Sequence, residues 1–263
     1  MSDKIKSHYE GYDEAARLHR GKAHSIEFLT TVNYFDKTLP QNSRVLDVCA
    51  GCGDYAFHLA DRGHEVIACD LVDRHVEAMR ANPNAGKLAG IETANALDLS
   101  RFEANSFDVV LCMGALYHLF EQQDREKCVR ECLRVLKPGG IFAFAYLNRA
   151  ATAIAEFCRG RNAVPMMEVL RTGKIYVFYS MAFGEAQALA DKFDMEKIAD
   201  VGVDGLCYPL AQRLNETTDE EFDEYMEYYL ATCEEPSMLG HSAHGLWLGS
   251  GRQNSAPMGV VVG

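Results

Sequence analysis

No apolar run in these 263 residues approaches the ~20 that a helix needs to cross a bilayer, and the first residues lack the pattern of a secretory leader. Both absences lead us to expect a soluble, cytoplasmic protein without a membrane partner. A Lys/Arg cluster is missing too: 26 basic residues face 38 acidic ones, for a net charge of -12. Phosphate backbones bind to basic surfaces, so no nucleic-acid partner is expected. Nine cysteines show no disulfide-framework spacing, which reads as reduced thiols. There are no internal repeats. With 48% hydrophobic and 24% charged residues, the composition is that of one α/β domain with insertions.

What the chain does have is concentrated in Val45-Leu46-Asp47-Val48-Cys49-Ala50-Gly51-Cys52-Gly53-Asp54 and Val66-Ile67-Ala68-Cys69-Asp70. An apolar strand runs into a Gly-x-Gly turn, a helix follows, and the next strand ends in an acid. That order sets a nucleoside-bearing cofactor at the carboxyl edge of a parallel sheet, because glycines admit the ligand closely and the acid can hold two ribose hydroxyls. Asp47, four residues ahead of Gly51, suits a cofactor with a cationic end better than a pyrophosphate.

Cys49-x-x-Cys52 also has the spacing of a redox pair or of half a zinc site. Zinc needs further ligands. No second Cys-x-x-Cys or close His pair supplies them, and His241 and His244 are far off in sequence. The pair falls inside the cofactor turn, so no metal is assigned.

On these residues the chain resembles the class I S-adenosylmethionine-dependent methyltransferases, whose first motif reads Asp-x-Gly-x-Gly-x-Gly. Further landmarks follow in family order: Asp70, the cluster Asn95-Ala96-Leu97-Asp98, the strand Phe107-Asp108-Val109-Val110-Leu111-Cys112, and Leu136-Lys137-Pro138-Gly139-Gly140. One departure stands out, Cys49 in place of the first glycine. A Cβ is tolerated there if the backbone avoids positive φ.

The resemblance implies a doubly wound, mostly parallel seven-stranded α/β sheet with helices on both faces. It implies S-adenosyl-L-methionine as cofactor and transfer of its methyl to an N, O or S nucleophile of a small molecule. Asp47 with the backbone of Cys49, Ala50, Gly51 and Gly53 faces the methionine half. Asp70 takes the ribose, with a helix N-cap as its other reading. Leu71 lies on an adenine face, and Ala96, Leu97 and Asp98 meet the adenine edge, Asp98 alternatively capping a turn. Cys112 and Met113 present backbone to the amino-acid moiety. Two alternatives stay open: an NAD(P) oxidoreductase, on the loose Gly-x-Gly-x-x-Ala at Gly51–Ala56, and a non-catalytic S-adenosylmethionine-binding protein.

Alternating patterns predict strands at 44–49, 64–69, 91–94, 107–112, 141–146, 195–203 and 244–249. Helices are predicted at 22–38, 54–62, 72–81, 122–136, 184–193 and 218–233. Residues 1–38 form an amino-terminal helical segment whose first 20 residues read as a lid or a surface helix. Residues 39–250 form the methyltransferase domain, with substrate insertions near 149–180 and 204–240. Residues 251–263 read as a flexible tail. The sequence assigns no oligomeric state.

For catalysis, His118 follows the fourth strand on the rim where a base or a positioning residue belongs. Tyr9, Tyr117, Tyr146 and Asn148 are the substrate-contact candidates. His241 and His244 read equally well as ordinary loop and strand residues.

Overall fold

The computed structural model describes residues 2–160 and 165–251, so the expected tail lies outside the described residues from 252 onward. In chain order the elements are α1 (Ser2–Glu10), α2 (Lys22–Thr38), β1 (Arg44–Asp47), α3 (Asp54–Asp61), β2 (Glu65–Asp70), α4 (Asp73–Ala81), β3 (Gly90–Thr93) and β4 (Phe107–Cys112). Then come α5 (Gln122–Val135), β5 (Leu136–Asn148), α6 (Arg149–Cys158), α7 (Met166–Thr172), β6 (Lys174–Ile175), β7 (Phe178–Met181) and α8 (Glu185–Asp191). Last are β8 (Met195–Gly202), α9 (Ala211–Asn215), α10 (Asp219–Thr232), α11 (Pro236–His241) and β9 (His244–Gly251).

Seven of these strands form the expected sheet in the order β3-β2-β1-β4-β5-β9-β8. All pairs from β3 to β5 are parallel, and β9 runs antiparallel to both β5 and β8. The order reverses between β1 and β4, which opens a crevice at the carboxyl ends of the strands. The first insertion holds α6 and α7. It also contains a hairpin, β6–β7, whose second strand pairs in parallel with Leu147 and Asn148 of β5 beyond the end of β4.

The two faces of the sheet build two cores, because side chains alternate along every strand. Ile141, Ala143 and Ala145 of β5 pack with Val45, Val109 and Leu248 under α2, α3 and α10. Phe142, Phe144 and Tyr146 pack with Leu46, Val110 and Trp247 under α5 and α8. Helix starts follow local chemistry. Thr218 and Glu221 form a reciprocal capping box that starts α10. Gly53, at φ 95, turns the chain from the glycine loop into α3.

Candidate active site

The loop between β1 and α3 is shaped by its glycines. Gly51 and Gly53 have φ of 55 and 95, and a Cβ on Gly53 would stand 2.7 Å from the Phe57 ring. Cys49 is not among the residues with positive φ, so its side chain is accommodated without backbone strain. Its thiol turns toward Cys112 rather than Cys52. Cys112 in turn lies 3.7 Å from Cys128, in a buried cluster that also holds Cys132.

Asp70 ties this loop to β2. Its Oδ2 accepts the Gly51 N–H at 2.9 Å, and its Oδ1 accepts the Val72 N–H at 2.8 Å. It therefore braces the glycine turn and the approach to α4, whose N-cap is Val72 and not Asp70, while still lining the cavity. That cavity has an empty volume of about 880 Å³, mouth included. Cys49, Ala50, Gly51, Asp70, Leu71, Ala96, Leu97 and Met113 line it, as do Tyr9, Tyr117 and His118.

Other expected residues fall elsewhere. Gly53 shapes the turn without lining the cavity. Cys112 is fully buried behind Met113. Asp98 is exposed, and its Oδ1 accepts the Ser100 N–H, so it caps a turn; Asn95 of the same cluster faces the cavity instead. Tyr146 and Asn148 point to the opposite face of the sheet, because odd-numbered residues of β5 take the cavity side. The Tyr146 hydroxyl donates to Asp200 at 2.6 Å, and the Asn148 amide donates to the Leu239 and Ser242 carbonyls. Both are structural.

Asp47 is fully buried at the end of β1, no side chain bonds either carboxylate oxygen, and the Cys49 backbone is its polar neighbour. Burial pushes its pKa up to about 8, and nearby Asp70 adds to the rise. Asp47 is not among the residues that line the cavity, although a buried carboxyl beside the glycine turn has the charge that a cationic ligand end would satisfy. His118, by contrast, is spent. Its Nδ1 donates to the Val177 carbonyl at 3.2 Å, so its Nε2 accepts from the Tyr9 hydroxyl at 3.0 Å. Burial lowers its pKa to about 4. A neutral imidazole with both nitrogens engaged positions Tyr9 and is not placed to serve as the base.

A second cavity of about 1280 Å³, mouth included, adjoins the first. Tyr9, Glu14, Arg17 and Tyr117 line both, so they form the wall between them. The buried Arg17 bridges Glu14 at 2.8 Å and Glu27 at 2.6 Å. Burial alone would raise the Glu27 pKa, but Arg17 and then His244 outweigh it and hold the carboxylate low. On the far side, Asp204 Oδ2 accepts from His244 Nδ1 at 2.6 Å. Sequence reasoning missed Arg17, Glu27 and Asp204, which sit in segments without motif signals; His244 was weighed there with His241 as a distant zinc partner and as an ordinary strand residue.

The fold and crevice are those of a Rossmann-like α/β domain. Residues 46–144 match the family described as "Methyltransferase domain". A ubiquinone biosynthesis O-methyltransferase of Xanthomonas axonopodis pv. citri is 35% identical over 117 residues, 44% of this chain and 48% of that protein. An S-adenosyl-L-methionine-dependent Diels-Alderase of Talaromyces variabilis is 35% identical over 122 residues, 45% of this chain and 41% of that protein. The chain thus spans less than half the length of these relatives. The crystal structure of the PH0226 protein from Pyrococcus horikoshii OT3 superposes with a TM-score of 0.58 at 17% identity, covering 92% of this chain and all of that one, and shows the same fold. Over residues 46–144 the chain is thus similar to the S-adenosylmethionine-dependent methyltransferases, a family whose methyl donor is S-adenosyl-L-methionine. Among the described residues, no helix is long and apolar enough to cross a membrane.

Proposed function

We propose that the protein transfers a methyl group from S-adenosyl-L-methionine to a small molecule held in the second cavity. One observation carries this reading: the two cavities meet at a common wall of Tyr9, Glu14, Arg17 and Tyr117. A donor in one and an acceptor in the other would then be held face to face, which is most of what methyl transfer requires of a protein.

When bound, the cofactor supplies an electrophilic methyl on a sulfonium. The rest falls to the chain. The buried Asp47 carboxyl would stabilise the cationic methionine end, and the backbone of Cys49, Ala50 and Gly51 would line it. Asp70 would accept from the ribose, with Leu71 on one adenine face. Ala96 and Leu97 would meet the adenine edge, where Asn95 replaces Asp98 as the polar group. Met113 would present its backbone to the amino-acid moiety. Tyr9, held by His118, and Tyr117, whose hydroxyl donates to the Met113 carbonyl at 3.1 Å, would exclude water between the sites.

In this reading residues 39–250 are the methyltransferase domain and residues 1–38 its lid. The insertions near 149–180 and 204–240 are the acceptor walls, since Ile175, Tyr176, Phe178 and Tyr208 line the second cavity. All nine cysteines are free, in keeping with a reducing cytoplasm. The O-methyltransferase name of the Xanthomonas relative supports a small-molecule acceptor. The Diels-Alderase name of the Talaromyces relative favours a second reading, in which the cofactor is bound but not consumed.

Calorimetry with S-adenosylmethionine, its demethylated product, NAD and NADP tests the cofactor. Heat from only the two S-adenosyl compounds is expected; heat from nicotinamide nucleotides alone would reverse the assignment. Transfer of labelled methyl to a metabolite panel then separates the transferase from the second reading.

A further inference from the structure

The second cavity contains a histidine that the cofactor does not need. His244 begins β9 and lines the acceptor side. Asp204, which follows β8 and is 1% exposed, accepts from His244 Nδ1 at 2.6 Å through Oδ2. Its Oδ1 accepts from the Ser242 hydroxyl at 2.6 Å and from the His244 N–H at 3.1 Å. The carboxylate is thereby locked by three donors on the residues around the histidine. The imidazole takes the tautomer with hydrogen on Nδ1, which leaves Nε2 as its accepting nitrogen.

The cluster of Glu27, Asp204 and His244 also has the composition of a cation site. The hydrogen bonds argue otherwise. Asp204 is occupied by Ser242 and His244, and Glu27 by Arg17 at 2.6 Å. A buried aspartate orienting an imidazole toward a cavity is instead the arrangement of a general base.

We propose that His244, oriented by Asp204, removes the proton from a hydroxyl-bearing methyl acceptor in the second cavity. This rests on the methyl-transfer reading above. The hydroxyl oxygen forms its bond to the methyl carbon, and the carbon–sulfur bond breaks with its electron pair left on sulfur. The hydroxyl proton passes to Nε2 and then to water. The acceptor class follows from the chemistry: an amine attacks once positioned and deprotonated, whereas a hydroxyl gains from proton removal during attack. Tyr12, Tyr117, Phe178 and Tyr208 contribute ring walls, which suit an aromatic hydroxyl.

The sign of the pH dependence follows from the groups around the imidazole. Burial would lower its pKa, but Glu27 from α2 and Asp204 outweigh burial and raise it, with Arg17 opposing. Tyr55 and Tyr117 line a cavity with it, and Glu14, Arg20, His24 and Glu156 paired with Arg159 line the second cavity as well. A raised pKa keeps His244 protonated to higher pH, so the rate rises with pH through that value. Removing either carboxylate charge moves the inflection to lower pH.

The test uses the full chain, labelled S-adenosylmethionine, 3,4-dihydroxybenzoate as hydroxyl probe and sarcosine as amine probe. We expect methylation of the hydroxyl probe, with a roughly 10²–10⁴-fold lower kcat in His244→Gln. Asp204→Asn should shift the inflection downward, and Glu27→Gln should move it the same way. Calorimetry of cofactor binding by each variant distinguishes a lost base from a lost fold. Activity of a cofactor-binding His244→Gln within threefold of wild type, with the same pH profile, would overturn the proposal. Methylation of sarcosine but not of the hydroxyl would also overturn it and leave methyl transfer standing. Failure of the wild type to bind the cofactor would take down the parent reading.

Discussion

The Tyr9 hydroxyl donates to His118 Nε2 at 3.0 Å across 109 residues of chain, tying α1 to the turn after β4 at the mouth of the first cavity. That bond holds the amino-terminal segment over the site where the cofactor is proposed to lie. Tyr9→Phe should therefore loosen it and weaken S-adenosylmethionine binding by about 1 kcal/mol, the net worth of one hydrogen bond, read by calorimetry.

His118→Gln should change kcat by less than about tenfold, since a positioned neutral imidazole is not a base. Its larger effect should be on stability. The folded pKa of about 4 lies below the ordinary 6.5, so the unfolded chain binds more protons between these values. Stability contributed by neutral His118 is present above pH 6.5 and is lost as pH falls toward 4. The full difference is about 3 kcal/mol. Denaturant melts should show a flatter acid limb in the variant, and an unchanged limb would argue against the burial effect.

Asp47 works in the opposite sense. Its folded pKa of about 8 is above the ordinary 3.8, so the folded chain holds its proton longer. Stability is lost as pH rises from 3.8 to 8, and the cost at pH 7 is about 4 kcal/mol by linkage. Asp47→Asn should raise the Tm of the ligand-free protein at pH 7 while weakening cofactor binding. A variant that melts higher and still binds the cofactor with unchanged affinity would remove Asp47 from the site.

Arg17 is a single arginine between two half-buried carboxylates, Glu14 and Glu27. Arg17→Met leaves Glu14 without its cation and Glu27 with only His244, 3.8 Å away, and should destabilise the fold by about 1–3 kcal/mol. Combining it with Glu27→Gln should restore a good part of that loss, which a double-mutant cycle in urea will show.

Asp70 serves the fold and the proposed ribose site together. Asp70→Ala removes the acceptor for Gly51 and Val72, so it should lower stability by about 1–3 kcal/mol and also weaken cofactor binding. A loss confined to stability would leave Asp70 as a brace only.

Much of this protein is written locally. The glycine turn, the acid ending β2, the Phe107–Cys112 strand and the Leu136–Gly140 turn are short-range signals, because backbone φ and strand or helix periodicity depend on neighbours in the chain. They specified the sheet, the cofactor edge and most helix positions to within a residue or two. The hairpin inside the first insertion escaped, since the run Ile175–Tyr179 shows aromatic residues without the break that Tyr176 makes at φ 51.

The acceptor side was decided by tertiary structure alone. The period of two along β5 turns Tyr146 and Asn148 away from the cavity, and strand ends name neighbours but not faces. Asn95 and Asp98 both accept a backbone N–H two residues on, and only the folded loop decides that Asn95 lines the cavity. Glu27, Asp204 and His244 come together only when α2 packs beside the ends of β8 and β9, and no spacing in the chain records that meeting. Burial then sets the chemistry, leaving Asp47 without a side-chain partner, silencing His118 and orienting His244.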